Sequence, residues 1–482
     1  MNYVIYDFET TAKEAKYAHP IQFAAVLADE NFNILETFNE RCRLRDGAVP
    51  DPKSLLITKA TIDSLKNEQS YYEFMRKVYT KLQSWSPAIF FGYNNIMFDD
   101  EVLRQNFYQT LLNPYLNTTN ENTRIDLWKV VVALAPLGLD IIDIPKDEKG
   151  KNLTGLEGLS KKNNIKHESA HDALSDVKAT LELAKIIQTK EPIFWENCLK
   201  ARSPKTLSEF LPTDEYFYRA PQARSSIKYI PVSFITANPN KEKELAFFNL
   251  TTNNYEKEIE KRSSAIASII KKKTIIIEKS HRFPILLSHD YFKSTNLYND
   301  TKNNISYKEI AEKIRSSENF IENVKQSLVD QWEEFETSRQ QTEILPLEEQ
   351  IYGSMPLSRD DKEIINEFNN STDPFVKLKT SKHINDTRYK HHANRILYEE
   401  YSTELTDIEK KKYQKSLAER VLTDEKDDKG KWISKWMTIP KAKEKIESLK
   451  DDKEYQKETD YIKQIENHIL SEEKKYKKYL GN

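Results

Sequence analysis

Short apolar runs dominate the first third of the chain and predict strands over residues 2–6 (NYVIY), 21–28 (IQFAAVLA) and 88–93 (AIFFGY). Between and after them apolar residues recur at helical spacing. Val102, Leu103, Phe107 and Leu111 form one such stripe, and Val177, Leu181, Ala184 and Ile187 form another. Strands interleaved with helices predict an α/β domain over 1–190. From residue 191 the pattern changes to short strands over 244–250 (ELAFFNL) and 273–279 (KTIIIEK), punctuated by Pro204, Pro212, Pro221, Pro231, Pro239 and Pro284. This predicts a small barrel or open sheet, followed by a helical stretch over 307–337, in a middle domain of 191–346. Over 347–482 nearly every segment is charged and helix-forming, and Ser358 with Asp361 has the spacing of a helix cap. An α-helical C-terminal domain is predicted there.

The length of 482 residues agrees with about three domains at roughly 100–200 residues each. Hydrophobic residues make up 38% and aromatic residues 11%, enough for real cores and against wholesale disorder. No apolar run approaches the roughly 18 residues of a bilayer span, so no membrane contact is expected. Cys42 and Cys198 are too few for a disulfide framework or a Cys-rich zinc site, and no basic segment followed by an apolar core opens the chain. A reducing, cytoplasmic setting is expected. With 9 glycines and neither a GxGxxG nor a GxxxxGK[ST] element, dinucleotide cofactors and Walker-type ATP hydrolysis lose their basis.

Three constellations carry candidate chemistry. Asp7-Phe8-Glu9 closes the first strand, where alternation aims both carboxylates at one face, about 7 Å apart along the chain. Asn95-Ile96-Met97-Phe98-Asp99 follows the third strand and puts Asp99 in the first turn of a helix, where a carboxylate suits the dipole. His171-Asp172-Ala173-Leu174-Ser175-Asp176 opens the later amphipathic helix, setting a titratable nitrogen beside a further carboxylate. Each alone reads more readily as a solvated strand end, an acidic cap, or a surface histidine with an exposed helical aspartate. Together, within about 170 residues and each at a strand end or helix start, they suggest one cluster: Asp7, Glu9, Asp99 and Asp176 with His171. Four crowded carboxylates need divalent metal, and Mg²⁺, which keeps waters and phosphate oxygens in its shell, suits such a set; Mn²⁺ should substitute.

The order DFE, NxxFD and HxxxxD resembles the DEDDh group of 3′→5′ exonucleases with a ribonuclease-H-like fold. Gln22-Phe23-Ala24-Ala25, Gly92-Tyr93-Asn94-Asn95, Phe98-Asp99-Asp100-Glu101, Ala170-His171-Asp172-Ala173 and Gln350-Ile351-Tyr352-Gly353 resemble the bacterial exodeoxyribonuclease I family more specifically. The resemblance implies a ribonuclease-H-like exonuclease domain, an SH3-like β-barrel middle domain and a helical C-terminal domain closing around single-stranded DNA. It implies processive 3′→5′ degradation to 5′-mononucleotides in DNA repair, by two-metal hydrolysis with two Mg²⁺ ions. Asp7 would bridge both ions, Glu9 and Asp176 would complete the nucleophile-side site, Asp99 would hold the second ion, and His171 would be the general base. Arg104, Tyr115 and Arg124 match family positions that touch DNA. Phe8 and Phe98 flank the carboxylates, where they could stack terminal bases or simply pack, and Glu9 and Asn95 complete the expected DNA-binding set. Gly155 departs from the pattern, standing where relatives carry a substrate-contacting arginine; Lys151 or Lys161 could supply that phosphate contact. The resemblance further implies docking of the acidic tail of single-strand DNA-binding protein, and a monomer is expected. Alternatives are a DEDDh exoribonuclease, a proofreading-type exonuclease, or a catalytically inactive single-strand-binding repair scaffold.

The formal charge of −2, from 74 basic and 76 acidic residues, excludes a strongly basic chain but not local basic surfaces. Residues 1–190 hold 23 basic and 26 acidic residues, and setting aside the four carboxylates a metal would neutralise leaves them at +1. Residues 199–293 hold 17 basic against 10 acidic. A strand of DNA is therefore expected along the basic middle domain.

Overall fold

The computed structural model describes residues 1–167, 171–222, 228–302, 305–340, 345–352 and 356–481. Ala170 and Gly353 of the motifs above lie outside the described residues.

The first sheet has five strands in the order β3-β2-β1-β4-β5, formed by β1 (Tyr3–Thr10), β2 (Pro20–Ala28), β3 (Ile34–Arg41), β4 (Ile89–Phe91) and β5 (Thr123–Arg124). β1 pairs antiparallel with β2 and parallel with β4, giving a ribonuclease-H-like α/β layer. β1 runs four residues past the predicted strand, so Asp7 and Glu9 lie within the ladder rather than beyond its end. Its alternation divides two cores. Val4, Tyr6 and Phe8 pack with Phe23, Phe90, Val102, Leu103 and Phe107, on the face covered by the helix Asp99–Gln109. Tyr3 and Ile5 pack with Ala24, Val26, Phe91 and Val177, on the face covered by the helix Ala173–Lys190. Leu111 departs from its predicted stripe: it sits beyond the helix with a φ of 62° and packs against Ile365, Phe368 and Ile396 of the C-terminal helices.

The second sheet, in the order β10-β6-β7-β8-β9, comprises β6 (Phe217–Arg219), β7 (Ile230–Asn238), β8 (Lys241–Asn249), β9 (Ile275–Lys279) and β10 (Leu286–Ser288). All its pairs are antiparallel. The expected β-barrel is not found: among the described residues β9 and β10 are edges and do not pair, so the sheet is open. Helices cover both faces instead. Leu207, Phe210 and Leu211 pack on one, and Ile266, Ile269, Ile310, Ile314, Phe320 and Val324 belong to the core on the other, which removes the need for closure. The predicted helix over 307–337 is two helices, Tyr307–Arg315 and Glu318–Gln340, interrupted at Ser316-Ser317.

The C-terminal part is helical, from Arg359–Asn370 to Thr459–Tyr479. Ser358 caps the first of these helices, its hydroxyl accepting from the Asp361 N–H at 3.0 Å. Among the described residues no helix is long and apolar enough to cross a membrane. The helices join the first domain partly through buried polar contacts. Lys377 is fully buried, and its ammonium donates to the Phe368 carbonyl at 2.5 Å and the Tyr72 hydroxyl at 3.2 Å. Burial, and then the charge of Arg76, lowers its pKa from 10.5 to about 8. Between those values the unfolded chain binds the proton that the folded chain has lost, so this residue makes stability rise with pH from about 8 to 10.5. The thermal midpoint of the Lys377→Met variant should lack that increment; parallel pH profiles for variant and parent would contradict it.

Candidate active site

The register of β1 on β2 sets Asp7 opposite Ala24 and Glu9 opposite Gln22, both acids facing the helix Ala173–Lys190. Asp99 arrives from the other side of the sheet. Its Oδ1 accepts the Phe8 N–H at 3.1 Å, which draws the start of its helix to the strand between the two acids. The loop before it depends on Gly92, where a Cβ would lie 2.6 Å from the Tyr6 carbonyl oxygen. Asn94, at a φ of 64°, turns the chain back, and the buried Asp126 clamps the turn by accepting from the N–H groups of Asn94 at 3.0 Å and Ile96 at 3.4 Å.

Asp172 anchors the third segment. It caps the helix, Oδ1 accepting from the Ser175 N–H at 3.2 Å, while Oδ2 accepts from Gln22 at 3.0 Å and Arg41 at 3.1 Å. His171, one residue earlier, is exposed and holds a φ of 65°, a region few non-glycine residues occupy. With the helix fixed on β2 and β3, Glu9, His171 and Asp176 bring one ligand atom each within 4.8 Å of one another.

Glu9 is 8% and Asp99 4% exposed, Asp7 is partly buried, and the Asp176 side chain is 19% exposed. Burial, and then the charges of Asp99, Glu9, Asp176 and Asp172, push Asp7 well above the carboxylate range. Burial and the charge of Asp176 raise Glu9 to about 9, with Arg41 opposing, and burial raises Asp99 to about 8 against the Phe8 N–H. Burial raises Asp176, opposed by its hydrogen bond with His167. Oxygen donors this crowded fit a divalent cation, which would supply the missing positive charge.

The residues expected to touch DNA divide. Tyr115 is 39% exposed and offers a ring face to solvent. Phe8 is buried with its ring centroid 4.7 Å from that of Phe23, and Phe98 packs at the margin of the same core. Asn95 is buried, donating to Asp100 at 3.4 Å. Arg104 lies 3.8 Å from Asp100 with its side chain 14% exposed. Arg124 is buried, pairing with Asp100 and donating to the His281 carbonyl of the middle domain. It therefore sits in the joint between domains rather than on an open groove. Gly155 has ordinary extended geometry, and a Cβ there would meet nothing within 4 Å, so the missing arginine is not a steric necessity. Lys151 and Lys161 are exposed nearby in sequence.

Sequence reasoning passed over three neighbours of the cluster: His167, whose Nε2 hydrogen-bonds Asp176, Asp172, and Arg41. The HxxxH spacing of His167 and His171 was the available signal for the first. Arg41 carries none, since only strand pairing brings it here.

The RNase_T exonuclease family model matches residues 4–184, the span that contains every residue of this cluster. Residues 4–184 form an exonuclease-family domain. Its homologues include exodeoxyribonuclease I of Buchnera aphidicola subsp. Schizaphis graminum, 39% identical over 219 residues, covering 45% of each chain. Exodeoxyribonuclease I of Escherichia coli is 32% identical over 213 residues, 42% of this chain and 44% of that one. These alignments span less than half the length of the curated relatives. Beyond the exonuclease-family domain the likeness is one of fold. A moderately thermophilic exonuclease I from Methylocaldum szegediense superposes with a TM-score of 0.78 at 18% identity, over 98% of this chain and 99% of that one. Exonuclease I of E. coli in complex with a dT13 oligonucleotide does so with a TM-score of 0.78 at 19% identity and the same coverage. Exonuclease domains of this family generally use divalent metal ions.

In the metal-free chain the raised carboxyls of the exonuclease-family domain remain protonated when folded and ionise when unfolded. Stability conferred by Glu9 and Asp99 is therefore present near pH 4 and lost as pH rises toward 8–9. Thermal midpoints in a chelator should fall over that window, and saturating Mg²⁺ should flatten the profile. A chelated protein with no such fall would show that these carboxyls are not raised.

Proposed function

We propose that the protein is a 3′→5′ exodeoxyribonuclease that degrades single-stranded DNA to 5′-mononucleotides, in the manner of the exodeoxyribonuclease I enzymes it resembles. The observation that carries this reading is the convergence of Glu9, His171 and Asp176 within 4.8 Å, from segments far apart in the chain. Asp7, Glu9, Asp99 and Asp176 would be the residues that hold two Mg²⁺ ions. Bound there, the ions would supply Lewis-acid stabilisation of the attacking and leaving oxygens.

The chain's own residues do the rest. His171, exposed beside the acids, accepts a proton from the attacking water and can release it to solvent. The water oxygen bonds to the terminal phosphorus in line as the P–O3′ bond breaks, and the departing O3′ takes a proton to leave a shortened 3′-OH. Asp172 and Asp126 keep the two acid-bearing segments in register. Tyr115 offers a stacking face, Arg104 a cation at the start of the strand path, and the excess of basic residues over 199–293 favours the phosphates beyond. The division at 1–190, 191–346 and 347–482 assigns catalysis to the first part and enclosure of the strand to the others. One solved relative is a complex of exonuclease I with single-strand DNA-binding protein, which supports docking of that partner here. A role in DNA repair belongs to the same proposed reading.

His171→Ala should lower kcat by about 10²–10⁴ with fold and DNA binding retained; full activity would reject the general-base assignment. With 5′-labelled substrates and Mg²⁺, matched single-stranded DNA should be shortened from its 3′ end much faster than duplex DNA or RNA. A preference for RNA would move the assignment to an exoribonuclease.

A further inference from the structure

Two histidines, not one, stand at Asp176, and their surroundings differ. His171 is exposed. The His167 side chain is only 7% exposed, and its Nε2 is hydrogen-bonded to Asp176 Oδ1, nine residues on, in the first turn of the helix Ala173–Lys190. Its other ring nitrogen, Nδ1, is buried without a hydrogen-bond partner among the described residues. A ring so enclosed cannot exchange protons freely with solvent, which argues against a shuttle. An ionised carboxylate only accepts hydrogen bonds, so beside a cation-bound Asp176 the proton of this pair resides on Nε2 and the histidine is the donor.

We propose that His167 is a positioning residue for the metal site: its Nε2–H engages one oxygen of Asp176 and so turns the carboxylate, leaving the other oxygen for the cation shared with Glu9. The inference rests on the reading of Asp176 as a metal ligand. Asp176 stands on the first turn of its helix, and its side chain remains 19% exposed. No other side-chain hydrogen bond to its carboxylate is found among the described residues, whereas Asp172 is held by Gln22 and Arg41 and Asp99 by the Phe8 N–H. Without His167 the carboxylate is free to rotate toward solvent, and the ordering cost returns at each binding event. Outer partners of this kind typically alter metal affinity by about 10–100-fold. The two histidines thereby divide the work: His167 orients a ligand, and His171 remains available to the attacking water.

The test is titration of the full, metal-free chain with Mn²⁺ alone, followed by electron paramagnetic resonance of the free ion, with no DNA present. His167→Leu and His167→Ala, which lack a donor, should bind Mn²⁺ about 10–100-fold more weakly. His167→Gln, whose amide can still donate, should recover most of the loss. Circular dichroism identifies which variants are folded, and either donor-free variant suffices. Affinities unchanged in a folded donor-free variant, or not recovered by glutamine, would overturn the assignment. Unfolding of both donor-free variants beside a folded His167→Gln would reduce His167 to a structural contact and also overturn it. If the parent chain itself fails to bind Mn²⁺, the nuclease reading fails rather than this inference.

Discussion

The molecule is organised around electrostatic repulsion that it does not relieve by itself. Asp7, Glu9 and Asp99 are brought into one corner, mostly out of water, where ionised carboxylates without cations cannot coexist. Backbone and side-chain donors hold them there: the Phe8 N–H for Asp99, and the Asp172 clamp on Gln22 and Arg41 for the segment that carries Asp176. Arg41 is a cation whose charge acts on Glu9, and it is partly exposed. The corner is thus built to be completed by an ion rather than by the protein.

The adjacent residue has the opposite arrangement. Asp100 is fully buried, yet it accepts from Tyr6, from Arg124 and from Asn117 at 3.0 Å, and it pairs with Arg104 at 3.8 Å. Two consecutive aspartates therefore serve two ends. Asp99 is left short of positive charge and faces the cluster, whereas Asp100 is saturated by the protein's own cations and through Arg124 reaches the middle-domain carbonyl of His281. This pairing holds Asp99 at a fixed distance from a domain joint.

Much of this was legible in the sequence because it follows from short periodicities. Alternation along β1 put Asp7 and Glu9 on one face, and the helical stripes after Asp99 and His171 gave both helices that carry the remaining acids. What was not legible depends on long-range pairing. Arg41 reaches the site only because β3 pairs with β2, and Arg124 is turned inward by Asp100 and by the His281 carbonyl of the middle domain. Phe8 looked equally suited to stacking or packing, and the parity of β1 decides for packing against Phe23. The barrel expectation failed at the edges β9 and β10, which do not pair with each other among the described residues, and β10, three residues long, is too short to write a period of two into the sequence. His167 stands four residues before His171, but that spacing alone does not say that its ring turns to Asp176.

The apolar core on the Tyr3 side of the first sheet does not stop at the domain edge. It runs through Phe194, Trp195 and Cys198 into Tyr218 and Phe248 of the second sheet and Ile310 of the helix Tyr307–Arg315, and Trp195 donates to the Tyr3 hydroxyl at 3.1 Å. The C-terminal helices meet the first domain across a mixed seam: Leu55, Leu56, Tyr72 and Leu111 pack into their apolar clusters, and polar contacts run beside these, among them Arg395 to Gln109 at 3.1 Å, Lys445 to Asp51 at 2.5 Å and Lys16 to Glu349 at 2.6 Å. Water can replace the polar contacts at small cost, but parting any of these apolar clusters exposes hydrocarbon at about 25 cal/mol per Å². Mechanically, the two sheets are joined into one block by that core, and the corner of carboxylates, built on β1 and the helix Ala173–Lys190, belongs to it.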